Sequence, residues 1–345
     1  MNKLTIGLKN TYFYIIKIIN MKQNAAIFYL TQNTDVRKTY LKTSLYFLFK
    51  NFNAEHKYPV IILHEGDFDH DSQDEILTSI RLSCRNCVTF RALDKEDFTI
   101  PSHIDKTKME NCINLKPVPY WRNNTYRMMC RWWIVHFPKY IKGYDYVMRL
   151  DDDSIIEEPI PDLFSWMNDN KLIYASNLLH TDCGICNYGM KDFFKKLCPT
   201  KKEAIDKLFI KQDVPSKSFQ LFKFRSLLSI TQKPDFELEE TITLEQPIIY
   251  YNNFFITKTS FWERDDVKAA IDKIDKNGSI FYFRWGDAPL QTLLVKLYAK
   301  EDEIKQCKFQ YSKRLQRESF KDDDGLYQSY MPLLYSETSC MTDQK

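Results

Sequence analysis

Three consecutive carboxylates stand directly after an apolar, strand-like run in this sequence. Residues 144–150 are mostly β-prone, and Asp151, Asp152 and Asp153 follow them. In an open α/β sheet the carboxyl ends of the strands face the ligand crevice. Carboxylates there can hold Mn²⁺ or Mg²⁺ against a diphosphate. We therefore predict that Asp151 and Asp153 are metal ligands. Asp152, on the other face of an extended segment, is expected to meet ribose, solvent or an arginine.

A second acidic triplet offers a comparison within the same chain. Asp322, Asp323 and Asp324 follow a lysine and precede Gly325, with no apolar strand before them. That pattern is typical of a solvated turn. An acidic triplet alone therefore does not indicate a metal site, and the elements around the first triplet have to support the prediction.

The segments before the first triplet predict a parallel sheet. Strands are expected at 25–30, 60–63 and 88–90, with helices between them at about 35–52 and 73–81. This alternation predicts an α/β fold of the Rossmann-like type, with a mostly parallel central sheet flanked by helices. The chain has 8 glycines and neither a Gly-x-Gly-x-x-Gly nor a Walker motif, so a glycine turn does not cradle phosphates.

The second half of the chain predicts further helices. An aromatic-rich helix is expected at 125–140, a helix at about 265–276 that ends at Asn277-Gly278, and another at about 290–298. The Lys-rich stretch from 200 to 240 has the composition of an acceptor-side insertion or lid.

Composition excludes several classes of protein. Hydrophobic residues make up 44% of the 345 residues, which is enough for a packed core. The net charge is +3 (49 basic minus 46 acidic residues), too balanced for a nucleic-acid partner. Basic pairs such as 313–314 are expected on solvated faces. The odd number of cysteines, 9, favours free thiols, and a zinc site shared by Cys84/Cys87 and Cys183/Cys186 stays open.

Several motifs of the chain resemble the fungal α-1,2-mannosyltransferases of glycosyltransferase family 15. The most specific is Phe-Tyr-Phe-Arg-Trp-Gly-Asp-Ala-Pro at 281–289, where the family has Phe-Tyr-Glu-Arg-Trp-Gly-Asp-Ala-Pro. The others lie at 24–26, 52–60, 126–131, 146–153 and 251–254. The resemblance covers about 23–312 and implies a GT-A fold. It also implies a Mn²⁺-dependent, retaining transfer of mannose from GDP-mannose to a sugar hydroxyl of a glycan or glycoprotein.

The resemblance also implies roles for single residues. Asp151 takes the place of the family's metal-binding Glu, and Asp153 that of its second acidic residue. The side chains expected to line the substrate side are Tyr126, Arg284, Trp285 and Asp287. Asp287 is either catalytic or a helix N-cap, or both. Arg131 pairs either with the diphosphate or with an acidic neighbour in the core.

Two departures from the family concern catalysis. Phe255 stands where the family has the Glu of Asn-Phe-Glu-Ile, the candidate nucleophile, so the reaction proceeds on the front face, or Glu245 or Asp287 substitutes, or activity is lost. The family's metal-binding His falls near Ser312, where this chain has no histidine. Either the metal rests on the two aspartates, diphosphate and water, or Lys313 itself offsets the diphosphate charge.

These observations leave three functions open. They are transfer of mannose, transfer from a UDP-hexose donor, and binding of nucleotide or glycan without catalysis. We expect a lead-in at 1–22, a transferase domain at 23–312 and a polar tail at 313–345. Within the domain, 23–154 form the donor half and 155–312 the acceptor half.

The compartment is predicted from the first twenty residues and from one glycosylation sequon. Lysines interrupt the first twenty residues, so no transmembrane segment is expected, and the family's anchor has no counterpart. A glycan on the sequon at 123–125 would obstruct the predicted cleft beside Tyr126. We expect a cytoplasmic or peripheral membrane protein, with the Golgi or secretory lumen as the alternative.

Overall fold

The computed structural model describes residues 22–115, 122–215, 241–313, 316–321 and 327–329. Nearly all of the predicted lead-in, most of the Lys-rich stretch from 200 to 240 and the triplet at 322–324 lie outside the described residues.

A seven-stranded sheet forms the centre of the molecule, in the order β11-β6-β10-β4-β1-β2-β3. Strands β4, β1, β2 and β3 are parallel neighbours, and β10 runs antiparallel between β4 and β6. The bounds are β1 Ala25–Leu30, β2 Val60–His64, β3 Val88–Ala92, β4 Tyr146–Leu150, β6 Tyr174–Ser176, β10 Phe254–Lys258 and β11 Ile304–Gln306.

Two smaller sheets flank the central one. The first has the order β14-β13-β12-β5 and the second β7-β9-β8. Their bounds are β5 Ser154–Ile156, β7 Leu179–Thr181, β8 Phe209–Pro215, β9 Thr241–Tyr250, β12 Tyr311–Lys313, β13 Gln316–Lys321 and β14 Tyr327–Ser329.

Helices lie on both faces of the central sheet. In chain order they are α1 Asp35–Leu48, α2 Ala54–His56, α3 His70–Leu77, α4 Lys106–Leu115, α5 Asn124–Arg131, α6 Phe137–Tyr140, α7 Leu163–Asp169, α8 Met190–Leu197, α9 Lys202–Asp206, α10 Thr259–Trp262, α11 Asp265–Asn277, α12 Ser279–Tyr282 and α13 Asp287–Tyr298. A π-helical segment, Trp132–His136, joins α5 to α6.

Alternation along the central strands builds a core on each face of the sheet. In β1, Ala26 and Phe28 belong to one buried cluster, whereas Ile27 and Tyr29 belong to the other. Successive side chains of a strand point to opposite faces, so a strand covered on both sides is apolar throughout. The predicted α/β fold with a mostly parallel sheet flanked by helices is confirmed.

Several boundaries differ from those predicted. The helix predicted at 73–81 runs from His70 to Leu77, because Asp69 caps it by accepting from Ser72 N–H. The last helix begins at Asp287, three residues earlier than predicted. The predicted tail boundary at 312/313 falls inside β12, whose strand pairs with both β5 and β13.

Candidate active site

A cavity of about 860 Å³ opens at the carboxyl ends of β1 and β4. Thr31 follows β1 and the acidic triplet follows β4, so both strands deliver polar side chains to the same edge of the sheet. The rest of the wall comes from helix α5, the loop after β9 and the start of α13. This is the crevice in which open α/β sheets bind ligands.

A tight turn fixes the acidic triplet at the cavity. The N–H of Asp151 donates to the carbonyl of Asn253 at 2.9 Å, and the N–H of Ser154 donates back to the carbonyl of Asp151 at 3.0 Å. The side chains of Asp151 and Asp153 both line the cavity, as predicted for the pair, and Asp153 is almost fully buried.

Arg149 is the central cation of the site, and sequence analysis did not identify it. Its Nε and Nη2 both lie 2.9 Å from Oδ1 of Asp151, and its Nη1 lies 2.7 Å from Oδ2 of Asp287. Its guanidinium carbon stands 3.7 Å from the centroid of the Trp133 ring, in cation–π contact. An arginine inside an otherwise apolar strand was the signal available in the sequence.

Lys313 completes the charge network from the opposite side. Its Nζ lies 2.9 Å from Oδ2 of Asp151 and 3.5 Å from Oδ1 of Asp153. Burial works against the ammonium, but the two carboxylates outweigh it and raise the pKa of Lys313. Burial likewise opposes ionisation of Asp151, but Arg149 and Lys313 prevail and lower its pKa. The expectation that 313–314 form a solvated face is wrong for Lys313, whose side chain is 17% exposed.

Asp152 lies in the turn and not on an extended strand, so the predicted alternation does not apply to it. Its Oδ2 accepts from the Thr31 hydroxyl at 2.7 Å, and its Oδ1 accepts from Nη1 of Arg37 at 2.8 Å. Burial raises its pKa to about 7, against the opposing effect of Arg37. Of the predicted partners (ribose, solvent or arginine), the structure supplies the arginine.

Asp287 directs its carboxylate into the cavity wall and does not cap the helix. It is the first residue of α13, the N-cap position belongs to Gly286, and the cap has no side-chain hydrogen bond. Its Oδ2 accepts from Arg149 and, at 2.9 Å, from Nδ2 of Asn252. The helix N-terminus adds a favourable dipole for this carboxylate.

Tyr126 lines the cavity, and Arg284 lies directly behind it. Nη2 of Arg284 donates to both oxygens of Asp182 at 3.1 Å, and its guanidinium carbon stands 5.6 Å from the centroid of the Tyr126 ring. Arg284 adopts a φ of 72°, a left-handed conformation rare for a residue with a side chain. Arg284 thus contacts Asp182, which does line the cavity.

Besides Arg284, three predicted site residues are not among those that line this cavity. Glu245 lies on β9 and accepts from Nζ of Lys191 at 2.5 Å, beside a second cavity of about 510 Å³. Arg131 forms a two-point ion pair with Asp275, so of its two predicted partners, the diphosphate and an acidic neighbour, the structure shows the acidic neighbour. Trp285 is buried and donates its indole N–H to a backbone carbonyl at 3.0 Å.

Phe255 belongs to the core. It is fully buried, its ring stacks on Tyr174 at 5.5 Å, and it pairs across the sheet with Arg149. It does not line the cavity. The structure therefore places no carboxylate at position 255. Of the two predicted substitutes, Glu245 and Asp287, it is Asp287 that lines the cavity.

The two predicted metal ligands do not offer a free cation site. Magnesium and calcium bind carboxylate oxygens at about 2.0–2.6 Å, and an ammonium already lies between Asp151 and Asp153. Within the described part of the chain, no group of three or more His, Cys, Asp or Glu side chains has the geometry to hold a metal ion. The residues thus fit a metal only if Lys313 moves away. All eight cysteines of that part are free.

In the part of the chain that was described, none of the helices combines the length and the apolar character needed to span a bilayer.

Known proteins share both the sequence pattern and the fold. The O-glycoside alpha-1,2-mannosyltransferase omh1 of Schizosaccharomyces pombe is 27% identical over 292 residues, 83% of this chain and 67% of that protein. Glycolipid 2-alpha-mannosyltransferase 1 of Candida albicans is 25% identical over 83% of this chain and 61% of its own length. The chain thus spans about three fifths to two thirds of these relatives.

Solved structures show the same fold. The mannosyltransferase Ktr4p from Saccharomyces cerevisiae, in complex with GDP, superposes with a TM-score of 0.69 at 19% identity, covering 86% of this chain and 72% of that one. Core-mannan synthase A from Aspergillus fumigatus, in an Mn/GDP form, superposes with a TM-score of 0.66 at 18% identity, covering 91% and 78%. Residues 8–344 match the family described as glycolipid 2-alpha-mannosyltransferase, and the chain belongs to that family.

Proposed function

We propose that this chain is a glycosyltransferase that moves mannose from GDP-mannose to a sugar hydroxyl of a glycan or glycoprotein. The observation that carries the proposal is the cavity at the carboxyl ends of β1 and β4, where the acidic turn and Asp287 converge. The relatives are mannosyltransferases, which supports mannose as the donor sugar. The GDP complex of Ktr4p supports the nucleotide.

The charges of the cavity suit departure of a nucleoside diphosphate. Arg37 lines the cavity with a side chain that is 31% exposed, and Arg149 and Lys313 stand on the other side of the triplet. Fixed positive groups stabilise the negative charge that develops on the leaving group without reorganising during the reaction. Asp287, held by Arg149 and Asn252, is oriented to stabilise the positive charge that develops on the sugar.

The position of Phe255 favours the front-face route. The bond from the anomeric carbon to the diphosphate breaks while the acceptor oxygen bonds to the same face. The acceptor's proton passes to the departing phosphate oxygen, so no covalent sugar–protein intermediate forms and the configuration is retained. This route needs no carboxylate at 255, where the structure has a buried ring.

A transfer assay tests this function with a matched pair of variants. Purified protein is incubated with GDP-mannose and a mannoside acceptor, and the product linkage is determined by NMR. Asp287→Asn keeps the shape of the side chain but removes its charge, so we expect a loss of about 10²-fold or more. Glu245→Gln, outside the cavity, should leave the rate unchanged. Equal rates for wild type and Asp287→Asn would contradict the proposed role.

One observation also favours a binding protein without catalysis, namely the replacement of the family's Glu by Phe255. Such a protein would hold GDP-mannose without releasing GDP in the presence of any mannoside. A UDP-hexose transferase would instead turn over UDP-glucose or UDP-N-acetylglucosamine. Running the three donors in parallel separates these alternatives.

A further inference from the structure

Lys313 occupies the position that a cation must take between Asp151 and Asp153. Its Nζ is 2.9 Å from one carboxylate and 3.5 Å from the other, and the side chain also lines the cavity. The backbone sets this position. Strand β12 pairs with β5 so that Lys313 lies opposite Ser154, the residue directly after the triplet. The same strand pairing thus holds the ammonium of Lys313 beside the carboxylates of the triplet.

A divalent cation and this ammonium exclude each other. A metal ligated by Asp151 lies about 2.0–2.6 Å from the carboxylate oxygen, which would bring it close to an ammonium held by the same side chain. Two cations at that separation repel each other, and partial burial of the site strengthens this repulsion relative to bulk water. The ammonium is tethered by a buried backbone segment, since Tyr311 and Ser312 of the same strand are fully or almost fully buried.

The fixed cations offset most of the carboxylate charge without a metal, although Asp287 shares Arg149 with Asp151. Arg149 pairs with Asp151, Arg37 pairs with Asp152 and lies 3.6 Å from Asp153, and Lys313 bridges Asp151 and Asp153. A diphosphate entering the cavity therefore does not meet three uncompensated carboxylates. An ammonium also carries three N–H donors, and the one given to Asp151 leaves others for phosphate oxygens.

We infer that Lys313 replaces the divalent cation in this chain, so that it binds the diphosphate of its donor without a metal. The inference rests on the proposed nucleotide-sugar site and specifies how that site holds its ligand. It also distinguishes this chain from core-mannan synthase A, whose structure is an Mn/GDP form. Lys313 acts here as a binding residue that touches the leaving group.

Calorimetry of the intact protein with GDP tests the inference without any acceptor. GDP is titrated in the presence of EDTA and again with excess Mn²⁺. We expect the two dissociation constants of the wild type to agree within about twofold. The affinity should also fall as salt is raised, because a monovalent side-chain cation is screened.

Two substitutions at the same position sharpen the test. Lys313→Ala removes the ammonium and frees both carboxylates, so GDP affinity in EDTA should fall at least tenfold and Mn²⁺ should restore it. Lys313→His places a neutral nitrogen ligand beside the carboxylates and should likewise make binding depend on Mn²⁺. Lys308→Ala, on the exposed connection before β12, is the matched control and should behave as wild type. Thermal unfolding of each variant checks that it is folded.

The outcomes separate the inference from the function on which it rests. GDP binding by the wild type only with Mn²⁺ would overturn the role of Lys313 and leave the transferase function intact. Unchanged binding by Lys313→Ala in EDTA would also overturn it. If the wild type binds no GDP in either condition, the proposed donor site itself fails, and the inference fails with it.

Discussion

At the scale of single residues, Arg149 determines how the site is held together. Its side chain is 3% exposed and pairs with two carboxylates that come from different parts of the chain, Asp151 and Asp287. A buried charge that loses one partner keeps its desolvation penalty, so the whole cluster depends on each member. The edge of the sheet that lines the cavity is therefore also a stability element.

Truncation of Asp287 tests this dependence. Because Asp287→Ala leaves Arg149 with an unpaired Nη1 in a buried place, we expect a loss of about 3–5 kcal/mol in the free energy of unfolding. Asp272→Ala is the matched control, since Asp272 forms an exposed pair with Lys276 and should cost about 0.3–0.5 kcal/mol. Urea denaturation measures both values. Similar losses for the two variants would contradict the buried-network interpretation.

At the scale of elements, the turn between α11 and α12 sets the direction of the chain toward Arg284 and Asp287. Gly278 ends α11 with a φ of 74° and begins α12. A Cβ on this residue would lie 2.8 Å from Cε2 of Tyr282 and 3.0 Å from Cδ1 of Ile104. Glycine is required here both for backbone conformation and for space.

Two alanine substitutions separate these requirements. Gly278→Ala should lower the free energy of unfolding by about 2–5 kcal/mol, the sum of left-handed strain and overpacking. Gly143 has a φ of 95°, and a Cβ added there would meet nothing within 4 Å. Gly143→Ala should therefore lower the free energy of unfolding by the backbone strain alone, about 1–2 kcal/mol. Equal losses of stability in the two variants would show that the Tyr282 ring moves aside at little energetic cost.

The end of β2 makes the stability of the fold depend on pH. Nδ1 of His64 accepts from the N–H of Gly66 at 3.1 Å, and burial lowers the pKa of His64 below 6.5 despite nearby Asp67. Below pH 6.5 the unfolded chain binds a proton that the folded chain resists, so stability falls as the pH drops through this window and is constant above it.

His64→Asn should remove this pH dependence while keeping an acceptor for Gly66. We expect the melting temperature of the wild type to fall relative to that of the variant between pH 6.5 and 5, and the difference to stay constant from pH 7 to 8. Parallel melting curves across the whole range would show that His64 does not titrate in this window.

At the scale of the whole molecule, the sheet joins two buried cores, one on each face. The cavity lies at the edge that both cores share, between β1 and β4. A ligand that binds there contacts elements from both halves of the chain, so it stabilises the complete fold and not one half.

Nucleotide should therefore shift the global unfolding transition. A GDP concentration 100-fold above the dissociation constant adds about 2.7 kcal/mol to the free energy of unfolding, provided that only the folded protein binds. Differential scanning calorimetry should show one transition that moves upward as a unit. A transition that splits, with only one part moving, would show that the predicted donor and acceptor halves unfold separately.

The sequence predicted those features that depend on local pattern. The strands, the helix cap at Gly278 and the placement of Asp151 and Asp153 at a strand end all follow from neighbouring residues. The partners were not predictable in this way. Arg149 meets Asp287 across 138 residues of chain, and Lys313 meets Asp151 across 162, so only the tertiary fold reveals these contacts. The sequence left Lys313 between a solvated face and a counter-charge for the diphosphate, and it did not show the pairing with Asp151 and Asp153.

The linkage between charge network and core bears on how this enzyme family could diversify. A substitution in the network alters fold stability together with chemistry, so most such changes are lost before a new specificity can be selected. Uncharged wall residues that are at least partly exposed, such as Gln32, Thr125 and Ala288, carry a smaller penalty. Adaptation to new acceptors is therefore expected to accumulate on the neutral side of the cavity, while its charged side stays fixed.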